Sequence, residues 1–113
     1  MMTDFSTMTD TQLDEWLAVN VMEWEKWCNS EGHECFKNDD DWHWIEDWQP
    51  TRDLNQAVMC AEKWSKDNDC EMVIYYKSHW VVDFRCGSLY PIHGDSLTRA
   101  LCEAVAMATE GEG

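Results

Sequence analysis

The stretch from Trp42 to Trp64, WHWIEDWQPTRDLNQAVMCAEKW, constrains the fold more than any other. It holds four of the eight tryptophans, the first of two prolines and the clearest internal helix start. Trp42, Trp44 and Trp48 fall at even spacing, which suits a short strand showing one aromatic face. The chain then turns at Gln49 and Pro50. Thr51 and Asp53 both suit the cap of a following helix, because a short oxygen-bearing side chain accepts from the free amides of the first turn. Leu54, Ala57, Val58, Ala61 and Trp64 make an apolar stripe at helical spacing, with Gln56, Lys63 and Lys66 facing water. The run Asp67-Asn68-Asp69 predicts the helix end.

Before this stretch, Thr11 with Asp14 three residues on resembles a capping box. Leu13, Trp16, Leu17, Val21, Trp24 and Cys28 follow at three- and four-residue spacing, which predicts a helix over about 11–27. Residues 29–41 show neither helical nor strand period and read as a loop. After it, EMVIYYK (71–77) and HWVVDF (79–84) are rich in β-branched and aromatic residues and are separated only by Ser78, which predicts an antiparallel hairpin. Residues 85–95 read as a loop carrying one more short edge strand at 89–92. Asp95 or Ser96 caps a last helix whose Leu97, Ala100, Leu101, Ala104, Val105 and Ala108 keep the helical period, with Gly111 as its stop.

The order helix, short strand, helix, hairpin, helix predicts an α+β fold with a small antiparallel sheet and three helices. Residues 1–10 read as a flexible lead-in and 11–110 as a single domain, since 113 residues suffice for one core. Three amphipathic helices carry more apolar surface than one face of a small sheet covers. Either both faces are used or the helices also pack on one another.

Eight basic residues against 23 acidic ones give a formal charge of -15, a field that repels phosphate backbones and anionic lipid headgroups. Direct nucleic-acid and membrane partners are therefore not expected, and no apolar run is long enough to span a bilayer. The same field favours encounter with a basic surface on another protein. The opening MMTDFSTMTD lacks the layout of a secretion signal, so a cytoplasmic location and reduced thiols are expected for the six cysteines.

The segments LAVNVMEWEKW (from Leu17), DDWHWIEDWQPTRDLNQAVMCAEKW (from Asp40) and LTRALCEAVAMA (from Leu97), with the hairpin between the last two, resemble the small phage proteins grouped as the phage ABA sandwich domain family. The resemblance spans roughly Leu13 to Ala108. It implies an α/β/α layered sandwich encoded by a bacteriophage or prophage and acting in the host bacterial cytosol. Asn20 stands where the family commonly has a basic residue, and Glu23 where it commonly has glycine.

Two constellations are candidates for function. Glu31, Glu34, Asp39, Asp40, Asp41, Glu46 and Asp47 are interleaved with Trp42, Trp44 and Trp48. Fixed carboxylates imitate the phosphate row of DNA while exposed aromatics supply anchors, so Glu34, Asp39, Asp40, Asp41, Trp42, Glu46 and Asp47 are the expected partner-binding residues. The competing reading is that the tryptophans are core and the acids a solvated rim. Cys28, His33 and Cys35 offer thiolate and imidazole ligands of the kind zinc prefers, although C-x4-H-x-C is not a standard finger spacing. Unrelated loop residues are the competing reading there.

No nucleophile elbow, phosphate-cradling loop or HExxH motif is present, and His79 and His93 read as surface or turn histidines, so no enzyme and no obligate cofactor are expected. The expected function is inhibition of a host protein with a basic surface, in the manner of an anti-CRISPR protein or DNA mimic, by a monomer or small homo-oligomer. The alternatives are a small-molecule or zinc-binding accessory protein, or a phage structural or housekeeping protein.

Overall fold

The computed structural model describes residues 4–28, 30–38, 41–85 and 91–112. Among them the chain forms an α+β fold of three helices and two small antiparallel sheets. Helix α1 (Asp10–Asn20) starts two residues earlier than the Thr11/Asp14 pair suggested. Thr9 Oγ1 accepts from Gln12 N at 3.1 Å, and Gln12 Oε1 accepts from Thr9 N at 2.9 Å, a capping box with glutamine.

The first helix also ends well short of residue 27. Trp24 N donates to Ala18 O at 2.9 Å, and Glu23 adopts φ 61°, a left-handed conformation that stops a right-handed helix. Beyond it the chain extends as β1 (Glu25–Cys28), then β2 (Glu34–Asn38) and β3 (Asp41–Trp44), an antiparallel meander in the order β1-β2-β3. A helix tail and a loop were expected over most of this region. Glu25 to Cys28 fits a helical or an alternating pattern equally well, and pairing with β2 decides for the strand.

Helix α2 (Leu54–Asn68) is capped by Asp53, which accepts from Gln56 N at 3.3 Å, and ends at Asp69 in the left-handed conformation. Its buried stripe is Ala57, Cys60 and Trp64, while Leu54 and Val58 are exposed, so the inward face is turned from the one expected. The hairpin is present as β4 (Met72–Tyr76) and β5 (Trp80–Phe84), with Ser78 at φ 61° in its turn. Strand β6 (Ile92–Gly94) adds to β5, giving the order β4-β5-β6. The edge strand expected at 89–92 falls partly on residues 86–90, outside the described residues.

Helix α3 (Leu97–Glu112) runs through Gly111, the residue expected to stop it. Leu101, Cys102, Ala104, Val105, Ala106 and Ala108 have no exposure at all, so the helix is covered over most of its circumference and leaves the stripe Arg99, Glu103, Met107 and Glu110 partly exposed. It touches α1, α2, β5 and β6. Of the two arrangements open to the apolar surface, the helices pack on one another through α3. Its alanines permit this: a Cβ on Gly94 of β6 would lie 3.1 Å from Ala100 Cβ.

The segment expected to fray is sealed from Phe5 onward. Phe5 is buried with its ring edge-on to Trp16 at 4.8 Å. Arg99 of α3 donates to Phe5 O at 2.9 Å, Met8 O at 2.8 Å and Asp10 Oδ1 at 2.7 Å. A partner about ninety positions away leaves no trace in the local composition. Cysteine chemistry departs at one point too: Cys28, Cys35, Cys60 and Cys102 are free thiols, but Cys70 is disulfide-bonded. The expectation of reduced thiols rested on compartment, which says nothing about where the fold brings sulfurs together; Cys86 lies outside the described residues.

Candidate functional site: an outward tryptophan face

Directly paired residues of an antiparallel ladder share one face of the sheet. In the β1-β2-β3 meander, Glu25 pairs with Lys37 and Lys37 with Trp42, while Trp27 pairs with Cys35 and Cys35 with Trp44. These six share one face, and Lys26, Phe36 and His43 share the other. The second face is the inner one. Phe36 is fully buried, the His43 ring lies flat on Trp24 at 4.1 Å, and Lys26 Nζ donates to Glu15 Oε1 of α1 at 2.8 Å.

The first face looks outward. Trp27, Trp42 and Trp44 are 45%, 54% and 45% exposed, far more than large apolar side chains need to be in a chain with this much core. The reading of these tryptophans as core is therefore wrong for Trp42 and Trp44 and right for Trp48, which is buried with its Nε1 donating to Asp14 O at 2.8 Å.

The exposed rings are held in place. Lys37 Nζ sits 5.3 Å from the centroids of both Trp27 and Trp42, a double cation–π contact. Trp27 meets Trp42 edge-on at 6.1 Å and donates through Nε1 to Glu25 Oε2 at 3.1 Å. His33 stands edge-on to Trp44 at 6.4 Å. A face ordered before it meets a partner loses less side-chain entropy on binding.

The expected partner-binding acids divide between two hollows. Asp47 lines one of about 280 Å³ with Trp42, Trp44, Trp48 and Met59, beside the tryptophan face. Glu34 and Glu46 line another of about 250 Å³ with Asp14, Glu15 and Arg52, under the inner face. Two of its carboxylates are already paired with Lys26, Glu15 at 2.8 Å and Glu34 at 3.7 Å, and Arg52 adds a second cation beside Glu46. Asp41 opens β3; Asp39 and Asp40 lie outside the described residues. Sequence reasoning missed Trp27, Lys37 and Glu25, although Glu25 and Trp27 already alternate with Lys26 and Cys28.

The candidate zinc ligands do not converge. Cys28 pairs with Glu34 on the inner face, at the sheet's end, whereas Cys35 is on the outer face, so their side chains leave opposite sides of the sheet. Among the described residues no group of three His, Cys, Asp or Glu side chains assembles as a metal-ligand set. Closeness in sequence was the whole of that signal, and alternation along β2 cancels it.

His79 and His93, read as surface or turn histidines, meet: His79 Nε2 and His93 Nδ1 are 2.7 Å apart, and Ser78 Oγ lies 3.2 Å from His79 Nδ1. Register accounts for this, because Val81 pairs with His93 next to the hairpin turn. In the core, burial pushes the Cys60 thiol up to about 12 and the Cys102 thiol higher still, so neither ionises to act as a nucleophile. No protein-family model, curated protein or solved structure matches this chain, and the resemblance to the phage ABA sandwich family rests on the residues quoted above.

Proposed function

We propose that this chain is a non-catalytic binding protein that docks its tryptophan face on a basic surface of another protein and blocks it. The observation that supports this reading is the ordered, half-exposed trio Trp27, Trp42 and Trp44 on one sheet face. Tryptophan is the strongest class of interface anchor, and indole faces accept arginine through cation–π contact. The formal charge of -15 draws a basic partner in from a distance, at a rate that falls as salt rises. Joined to the resemblance with small phage proteins, the setting is a phage or prophage product in the host cytosol. The partner class is then a host nucleic-acid-handling or defence complex, of which CRISPR-Cas effectors are one kind, with its basic channel occupied by a DNA mimic.

The test compares capture from a bacterial lysate by the wild type and by the double variant W42A/W44A, at low and at high salt. The expected result is a basic partner held by the wild type at low salt, released by added duplex DNA and lost in the variant. Equal capture by both proteins, or a partner that DNA does not displace, refutes the reading.

A further inference from the structure

Strand β4 is an edge of the β4-β5-β6 sheet, and its sequence MVIYY carries no charge. Natural edge strands usually carry charges, prolines or bulges that discourage pairing with another chain. Here Ile74, Tyr75 and Tyr76 are instead exposed, Tyr76 at 63%. The ladder fixes which backbone groups are free. Lys77 N donates to His79 O and Arg85 N to Glu71 O, both at 2.9 Å, so the odd-numbered residues of the strand bond β5. The N–H and C=O groups of Met72, Ile74 and Tyr76 therefore point off the edge.

We propose that the chain dimerises by pairing this edge with that of a second copy, antiparallel about a two-fold axis at Ile74. A register with a residue, rather than a peptide link, on the axis brings free groups opposite free groups, and among such registers the one centred on Ile74 sets the whole of Met72–Tyr76 against itself. That register sets Ile74 against itself, Met72 against Tyr76, Val73 against Tyr75, and Glu71 against Lys77. Glu71 and Lys77, the exposed charged residues at the two ends of the apolar run, thus fall opposite each other twice, once at each end of the new ladder. Two three-stranded sheets become one of six strands. At the far side of each sheet, β6 is only three residues long and its Gly94 is held against α3. The assembly closes at two copies.

Sedimentation velocity over a concentration series tests this, with the variants I74K, K77E, E71K/K77E and W42A/W44A. The wild type is expected to dimerise reversibly. I74K, at an exposed position, sets two ammonium groups on the axis and is expected to stay monomeric while keeping its circular dichroism. K77E sets glutamates opposite each other and weakens the dimer about tenfold, and the double swap restores it. W42A/W44A is expected to dimerise like the wild type. In amide exchange, Met72, Ile74 and Tyr76 gain protection with concentration. A wild type that stays monomeric, assemblies that grow past two, a dimer indifferent to I74K, or one lost in W42A/W44A instead would each overturn the proposal.

Discussion

Asp14 is the buried carboxylate of α1, 5% exposed, and both of its oxygens accept from Thr51: Oδ1 from the backbone N at 2.9 Å and Oδ2 from the hydroxyl at 3.2 Å. Burial raises its pKa above 3.8, against the opposing pull of the two Thr51 hydrogen bonds. The folded state therefore keeps a proton that the unfolded chain has lost. This contribution to stability is fully present below 3.8 and is lost as pH rises through the folded value. Asp14→Ala strands the buried Thr51 N–H, a cost of about 1–3 kcal/mol, or about 4–12 °C in melting temperature for a domain of this size. Asp14→Asn keeps an acceptor for that N–H and cannot ionise. It is expected within about 1 kcal/mol of the wild type at acid pH and to gain on it as pH rises. Thermal melts of the three proteins followed by circular dichroism, from about pH 4 to about pH 8, measure both effects. An Asp14→Ala protein as stable as the wild type throughout, or a gap between wild type and Asp14→Asn that does not move with pH, refutes the reasoning.

Glu23→Gly relieves a left-handed side-chain residue and is expected to stabilise the fold by about 1 kcal/mol in urea titration, since the exposed Glu23–Lys63 contact at 4.0 Å that it loses is worth little. Arg99→Ala removes three hydrogen bonds that seal the N-terminal segment; about 2 kcal/mol of stability is lost, and amides over 5–10 exchange fast while those of α2 stay protected. Ala104→Leu forces a larger side chain into a site with no exposure and lowers stability by about 1–3 kcal/mol in the same titration.

The elements that local pattern foretold are those whose pattern had one solution. The body of α2, the hairpin around Ser78 and the run of α3 follow from β-branched content and unbroken helical period, while the structure chose Asp53 over Thr51 as the α2 cap. Of the meander only β3 was foretold, by the even spacing of Trp42 and Trp44; β1 and β2 escaped because the decisive feature is a backbone angle at Glu23, and because β2 is a strand only by virtue of its neighbours. Of the candidate site, the even spacing of Trp42 and Trp44 was legible, while Trp27 and Lys37 joined them through register, a pairing between segments. The same alternation dismantled the cysteine cluster by turning Cys28 and Cys35 apart.

The meander is woven from nearly consecutive residues, and it reaches the rest of the molecule through Trp24, Phe36, Trp48 and the Lys26–Glu15 pair. Near neighbours close with little loop entropy, so such a unit gathers early in folding and opens alone at a lower free energy than the whole protein. Its tryptophans thus sit on a layer joined to the rest of the molecule by few contacts. A partner gripping them would act as a clasp, slowing amide exchange over 25–44 long before any change reached the alanine-lined α3.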